Sequence, residues 1–257
     1  PLPKFRKRDQ AKARMKEILQ PIIAERRANP DQYADILATM IVFTEREGNT
    51  ITDDTILNLL LGVMFAGHET TGGQSAWAII QALQHPDYLA LMQAEIDEHT
   101  TPMEKFDHHV MAKLTHVAWA VDETTRTRPS ADMLMRVVEE DLDVGDYVVP
   151  AGWLVQVSAE IGHHLPDVWT DPERYDPLRF APDRAEDKQD RFAMIGFGGG
   201  THKCTGMNFA NNEMIIILTM LLGQYEVELL TEEVEIDRGL GANRPTKTYI
   251  RYRRKEG

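Results

Sequence analysis

A single cysteine, Cys204, lies in a glycine-rich segment that could present it to a metal ion or to a substrate. It is the only cysteine among 257 residues, and residues 197–206 around it have the spacing F-x-x-G-x-x-x-C-x-G. Glycines allow a tight backbone loop, and the stretch over residues 207–222, ended by Gly223, has the length of a helix. A helix N-terminus stabilises negative charge and favours a thiolate over a thiol. The pattern therefore predicts a metal ligand or a nucleophile.

Two other interpretations of this segment compete with a thiolate site. A lone cysteine often serves as a small buried apolar side chain, which needs no ligand. A phosphate-binding loop is disfavoured, because no G-x-G-x-x-G register closes in the segment and no G-K-[ST] follows it. Motifs elsewhere in the sequence distinguish between a buried apolar side chain and a functional thiolate.

The segment resembles the haem-binding loop of the cytochrome P450 family, with Phe197, Gly200, Cys204 and Gly206 on the motif positions. The resemblance implies that Cys204 is the proximal ligand of the iron in haem b, iron protoporphyrin IX. The cofactor-binding residues that it implies in this region are Phe197, Gly198, His202, Cys204, Gly206 and Ala210. His202 is placed as a donor to a haem propionate.

A long helix is predicted from about residue 52 to residue 84, with Thr52 as its N-cap. Its middle, residues 66–71, has the sequence Ala-Gly-His-Glu-Thr-Thr and resembles the distal-helix motif of the same family. The resemblance implies that Thr70 hydrogen-bonds bound dioxygen and that Glu69 relays protons to it. The alternative is a threonine bonded to its own helix beside a surface glutamate. A zinc helix of the H-E-x-x-H type is excluded because Gly72 stands where the second histidine would be.

Two further segments resemble family motifs in the family's order. Glu123 and Arg126 share one face of a helix predicted over residues 111–127, and Arg179 lies in a later meander rich in proline and aspartate. The resemblance implies that these three side chains form a buried structural network. Arg136, on a predicted strand, is implied to bind a haem propionate, for which a guanidinium is well suited. The histidine pairs at 108–109 and 163–164 are interpreted as loop residues rather than metal ligands.

Bulk composition excludes several classes of function. The net charge of −13 makes nucleic acid and anionic membrane surfaces unfavourable partners. One cysteine cannot form a disulfide framework. The sequence has no apolar run of about eighteen residues, so no bilayer-spanning helix is predicted, and no signal peptide is recognised at the start.

The resemblance covers essentially the whole chain and is strongest to the sterol 14α-demethylases within the family. It implies a mainly α fold with a minor β region, in which residues 1–257 form the C-terminal portion of one domain and the N-terminal portion is missing. The implied activity is monooxygenation of a hydrophobic, sterol-like substrate with O2 and electrons from a ferredoxin or a flavoprotein reductase. The alternatives are hydroxylation of another lipid or terpene, and a non-catalytic haem-binding protein. A cytoplasmic location is expected if the source is bacterial, and a membrane anchor if the missing part carries one.

Overall fold

The protein is described by a computed structural model over residues 3–46, 52–100, 106–239 and 241–255. The predicted mainly α fold with a minor β region is confirmed. The helices are α1 (Pro3–Ala28), α2 (Ile36–Arg46), α3 (Asp53–Gln84), α4 (Pro86–Thr100), α5 (His108–Met111), α6 (Thr115–Thr127), α7 (Ala159–Gly162) and α8 (Met207–Gln224). The strands are β1 (Met133–Val137), β2 (Leu142–Val144), β3 (Tyr147–Val149), β4 (Leu154–Ser158), β5 (Tyr225–Leu229), β6 (Ile236–Arg238), β7 (Asn243–Pro245) and β8 (Ile250–Arg254).

The chain divides into two compact units, Pro1–His68 and Glu69–Gly257. In the first unit, Ile23, Leu37, Ile41 and Ile56 form a buried apolar cluster between α1, α2 and the start of α3. Pro21 lies inside α1, which continues through it as one helix. Among the residues that the structure describes, no helix combines the length and apolar composition needed to cross a bilayer. The prediction that all residues belong to one domain stays a prediction.

The second unit has its main core where α4, α6, α8 and the last turns of α3 meet. The cluster includes Ala78, Met92, Val117 and Leu218, each completely or almost completely buried. Burial of such side chains stabilises the fold by about 1.5–3 kcal/mol each for residues of the size of Val, Leu or Met. This core fixes α6, which carries Glu123 and Arg126, and α8, which carries Ala210.

A buried glutamate of α4 determines where α6 begins. The Glu95 carboxylate accepts hydrogen bonds from the Thr115 hydroxyl at 2.8 Å and from the backbone N–H groups of His116 and Val117 at 2.9 and 3.1 Å. These N–H groups belong to the first turn, which has no partners within the helix. The predicted single helix over residues 111–127 is therefore wrong at its start, because α5 ends at Met111 and Glu95 caps a separate helix from Thr115.

The strands form four two-stranded antiparallel ladders, β1 with β4, β2 with β3, β5 with β8 and β6 with β7. The turn between β2 and β3 contains Gly145 at φ +59°, a left-handed conformation that suits glycine. The predicted role of Gly223 as a helix terminator is wrong, because α8 continues to Gln224 and its backbone joins β5 directly.

Candidate functional site

The loop over residues 197–206, called the thiolate loop below, presents Cys204 at its surface. The Cys204 N–H donates to the Phe197 carbonyl oxygen at 2.8 Å, which closes the loop upon itself. Gly198 has a φ of +76°, and a β-carbon there would lie 3.2 Å from the carbonyl oxygen of His202. The sulfur is thus carried by a closed backbone ring that only glycine at 198 permits.

The thiolate loop leads directly into α8. Gly206 is the N-cap residue, and the Ala210 N–H donates to its carbonyl oxygen at 2.8 Å. A β-carbon on Gly206 would lie 3.8 Å from Cys204 Sγ. Cys204 therefore lies two residues before the N-cap of an eighteen-residue helix, where the helix dipole favours negative charge.

A buried histidine fixes the segment just before the thiolate loop. His163 is fully buried, and its Nδ1 lies 2.9 Å from the Arg126 carbonyl oxygen. Its Nε2 accepts a hydrogen bond from the Ile195 N–H at 3.0 Å. The two bonds assign the proton to Nδ1 and require a neutral ring. His163 thus connects the end of α6 to the start of the loop, and it lies in a turn as predicted. The loop prediction is wrong for His108 and His109, which begin α5.

Gly196 shows how closely the loop approaches α6. A β-carbon at this position would lie 2.5 Å from Thr125 Cγ2 and 3.2 Å from the Thr125 carbonyl oxygen. Real β-carbons do not approach other atoms this closely, so a side chain at position 196 would require Thr125 or the loop to move. The contact holds the base of the thiolate loop directly against the helix.

The three side chains that were grouped as a structural network lie together with no exposed surface. The Glu123 carboxylate accepts bonds from Arg126 Nε and Nη2 at 2.8 and 2.9 Å and from Arg179 Nε at 3.1 and 3.2 Å. The Asp176 N–H donates to the same carboxylate at 2.8 Å. Arg126 also donates to the His163 carbonyl oxygen at 2.7 Å. The network therefore joins α6, the His163 segment and the meander.

A second carboxylate balances the charge of Arg179. Glu186 Oε2 accepts from Arg179 Nη1 at 2.7 Å, and Glu186 Oε1 accepts from Arg184 Nη2 at 2.6 Å. The preceding residue, Ala185, has a φ of +41°, a left-handed conformation that costs a residue with a β-carbon about 1 kcal/mol or more. The strained conformation of Ala185 places Glu186 beside the guanidinium groups of Arg179 and Arg184.

The predicted distal residues lie in the middle of α3. The Thr70 side chain is half-buried, and the Thr70 carbonyl oxygen accepts from the Ser130 hydroxyl at 3.3 Å. Glu69 is exposed, and its Oε2 lies 3.3 Å from Arg244 Nη1. The middle of α3 is thus bonded to the segment before β1 and to β7.

The two predicted propionate donors occupy different elements. Arg136 lies on β1, is half-buried, and donates from Nη1 to the Met135 carbonyl oxygen at 2.8 Å. His202 is exposed at the end of a 3₁₀ turn in the thiolate loop. Each side chain carries hydrogen-bond donors of the kind that bind a carboxylate. That Arg136 and His202 bind the haem propionates stays a prediction.

The whole chain was compared with protein families and with known proteins. The family model described as Cytochrome P450 matches residues 1–250. The chain belongs to the cytochrome P450 family. A solved P450 structure, described as the crystal structure of cytochrome P450DA heme domain, is similar with a TM-score of 0.86 and 25% identity, over 95% of this chain and 55% of that one.

Similar P450 proteins include enzymes from bacteria and plants. The chain is 32% identical to the sterol 14α-demethylase of Mycolicibacterium vanbaalenii over 99% of its own length and 58% of that protein. It is 31% identical to the sterol 14-demethylase of Arabidopsis thaliana over its full length and 54% of that protein. The chain thus spans little more than half the length of these P450 relatives.

The residues of the thiolate loop fit the haem of a P450. The Cys204 side chain is exposed, and glycine at position 206 removes a β-carbon that would lie 3.8 Å from the sulfur. Phe209, on the first turn of α8, exposes 75% of its surface and offers an apolar contact to a flat macrocycle. Cys204 would ligate the iron, while Phe197, Gly198, Gly206 and Ala210 would contact the cofactor. A thiolate-ligated haem supplies activation of dioxygen when it is bound.

The stability contributed by His163 is expected to depend on pH. Burial lowers its pKa from 6.5 to about 4, so the fold requires the neutral ring while the unfolded chain takes up a proton below about pH 6.5. Stability is therefore complete above pH 6.5 and falls as the pH decreases toward 4, by an amount on the order of 3 kcal/mol. We expect the urea midpoint of the natural protein to fall more between pH 7 and pH 5 than that of His163→Gln.

The comparison between the two proteins is needed because another buried acid has the opposite effect. Burial, with Asp187 nearby, raises the pKa of Asp122 to about 7, so protonation of Asp122 stabilises the fold as the pH falls. Asp122 is present in both the natural protein and His163→Gln. Its effect on the pH dependence of the urea midpoint therefore cancels when the two proteins are compared. Equal pH dependence in both proteins would contradict the assigned role of His163.

Proposed function

We propose that this chain is the thiolate-bearing part of a monooxygenase that oxidises a hydrophobic substrate with dioxygen. The observation that carries the proposal is the exposed Cys204 on a closed loop that is anchored to α6 through Gly196 and His163. A thiolate ligand favours cleavage of the O–O bond. Electrons would come from a ferredoxin or a flavoprotein reductase.

The other site residues support this function with separate roles. Thr70 would hydrogen-bond the bound oxygen, and Glu69 would supply protons from solvent, for which its exposure is suitable. Arg136 and His202 would hold the propionates of the haem, because cationic or N–H donors pair well with carboxylates. Glu123, Arg126 and Arg179 would act only by holding the loop in place.

A sterol is the proposed substrate, and 14α-demethylation the proposed reaction. The support is the 31–32% identity to relatives named sterol 14-demethylases over essentially the whole chain. Oxidation would repeat at one methyl group until that carbon leaves as formate. Another lipid or a terpene is the alternative that an experiment must separate from this one.

Spectral titration of the full-length natural protein, loaded with haem, tests the substrate class. We expect 14α-methyl sterols to shift the ferric Soret band at lower concentrations than fatty acids or terpenes do. The same sterol without its 14α-methyl group is the matched control for recognition of the reacting methyl group. A stronger response to a fatty acid or terpene would overturn the sterol assignment and leave the monooxygenase assignment intact.

Thr70→Ala tests the proposed proton delivery. Because general acid–base groups contribute rate factors of about 100 or more, we expect the product formed per reductant oxidised to fall on the order of 100-fold. The missing electrons should appear as hydrogen peroxide, which a peroxidase-coupled assay measures. Thr71→Ala is the matched control on the same helix, and unchanged product yield in Thr70→Ala would refute the role.

A further inference from the structure

Glu69 is the only proposed proton-relay acid, and its carboxylate is engaged by an arginine far along the chain. Arg244 Nη1 lies 3.3 Å from Glu69 Oε2, and Arg244 Nε donates to Asp237 Oδ2 at 3.0 Å. Arg244 and Asp237 are directly paired residues of β7 and β6. The Arg244 guanidinium thus bonds Asp237 of its own hairpin through Nε and Glu69 of α3 through Nη1.

The same hairpin, formed by β6 and β7, packs against α3 one turn beyond Glu69. A β-carbon on Gly73 would lie 3.0 Å from the Asn243 carbonyl oxygen and 3.3 Å from Arg244 Cβ. Gly72, its neighbour on the helix, has nothing within 4 Å of the equivalent position. The absent side chain at position 73 therefore lets the backbone of β7 approach the helix closely.

Further hydrogen bonds tie this hairpin to the segment between α6 and β1. The Asn243 N–H donates to the Ser130 carbonyl oxygen at 2.8 Å, and Asn243 Nδ2 donates to the Pro129 carbonyl oxygen at 3.2 Å. Ser130 in turn donates through its hydroxyl to the Thr70 carbonyl oxygen at 3.3 Å. Both residues of the proposed relay, Glu69 and Thr70, are consequently bonded to one connected set of residues.

We propose that Arg244 is a positioning residue that holds the Glu69 carboxylate at a fixed place on α3 for proton transfer. The proposal rests on the proposed monooxygenase function, because only that function gives Glu69 a proton to deliver. An exposed ion pair alone contributes little to stability. The pair instead fixes the position of the Glu69 carboxylate. It can do so because Arg244 is itself held by Asp237 and by the close contact of β7 with Gly73.

Two kinds of measurement test the proposal on the full-length protein. The first is the rate at which a carbodiimide and glycine ethyl ester label Glu69, followed by mass spectrometry without any turnover. The second is the yield of oxidised substrate per reductant consumed. For Arg244→Gln we expect labelling to rise about threefold and product yield to fall about threefold, as the loss of an exposed ion pair allows. Reductant consumption should stay unchanged, which damage to the whole site would not produce.

Glycine variants provide a matched pair that leaves Arg244 itself intact. Gly73→Ala should displace β7 and reproduce the effects of Arg244→Gln. Gly72→Ala gains the same helix propensity but meets nothing within 4 Å, so its labelling and yield should equal those of the natural protein. Arg251→Gln, which breaks the exposed ion pair of Arg251 with Glu228 on another ladder, should also change neither quantity.

The outcomes separate this proposal from the function on which it rests. Unchanged product yield in Arg244→Gln, with faster labelling of Glu69, would show an ion pair without a positioning role and would overturn the proposal. Unchanged labelling would overturn it as well. A natural protein that oxidises no lipid would overturn the proposed function and the positioning role together, while the labelling difference would still report the ion pair.

Discussion

Replacement of Cys204 by serine is expected to abolish product formation and to remove the red-shifted carbon-monoxide band of thiolate-ligated haem. The hydroxyl of serine is a hard and weakly basic ligand, whereas the sulfur of a thiolate is soft and suits iron. Because Cys204 is exposed, the free energy of unfolding of the apoprotein should change by no more than about 0.5 kcal/mol. The difference spectrum of the reduced protein under carbon monoxide measures the first effect, and urea unfolding the second.

Thr205→Ser is the matched control for the cysteine variant. It changes an exposed neighbour on the same loop and should keep both the band and the turnover of the natural protein. A Cys204→Ser protein that retained the red-shifted band would mean that another group ligates the iron. Loss of the band together with a large loss of apoprotein stability would instead indicate a damaged fold, against the exposed position seen here.

Replacement of Glu123 by glutamine is expected to give the largest loss of stability, about 3–5 kcal/mol. The neutral amide leaves Arg126 and Arg179 buried without the carboxylate that both contact. Since the total stability of a domain is about 5–15 kcal/mol, the variant should unfold at much lower urea concentration. It should also release haem, because the cluster holds the segment that leads to the thiolate loop.

Glu173→Gln is the control for Glu123→Gln, since its side chain is 85% exposed on the same meander. It should change stability by no more than about 0.5 kcal/mol. Arg179→Lys provides a second test if Glu123→Gln does not fold. Lysine keeps the positive charge but cannot donate to Glu123, Glu186 and the Thr170 carbonyl oxygen together, so intermediate stability is expected. Full stability of either buried variant would contradict this description of the cluster.

The sequence predicts those parts of the structure that follow from local spacing. The distal helix is an example, because Thr52 caps it and its apolar pattern continues to Gln84; the Thr55 N–H donates to the Thr52 hydroxyl at 3.2 Å. The contact of Glu123 with Arg126 also follows from their separation by three residues on a helix. The mainly α fold could be stated for the same reason.

The sequence did not predict contacts that depend on tertiary structure. Nothing near Glu95 in the chain indicates that it caps α6, because its partners lie some twenty residues away. His163 resembles its neighbour His164 in sequence, yet the His163 ring is fully buried, while the His164 ring contacts the Glu160 carbonyl oxygen of its own turn. Nothing near Asp237 in the sequence indicates that its side chain accepts from Arg244 across the pair of strands β6 and β7.

The partners of Glu123 are added to the growing chain at different times during synthesis. Arg179 follows Glu123 by 56 residues, and a ribosome that adds about 5–20 residues per second reaches it roughly 3–11 seconds later. During this interval Glu123 has Arg126 as its partner but lacks Arg179 and the Asp176 N–H. Arg126, Asp176 and Arg179 all precede Cys204 in the chain, so these partners of Glu123 leave the ribosome before the thiolate that is proposed to bind haem.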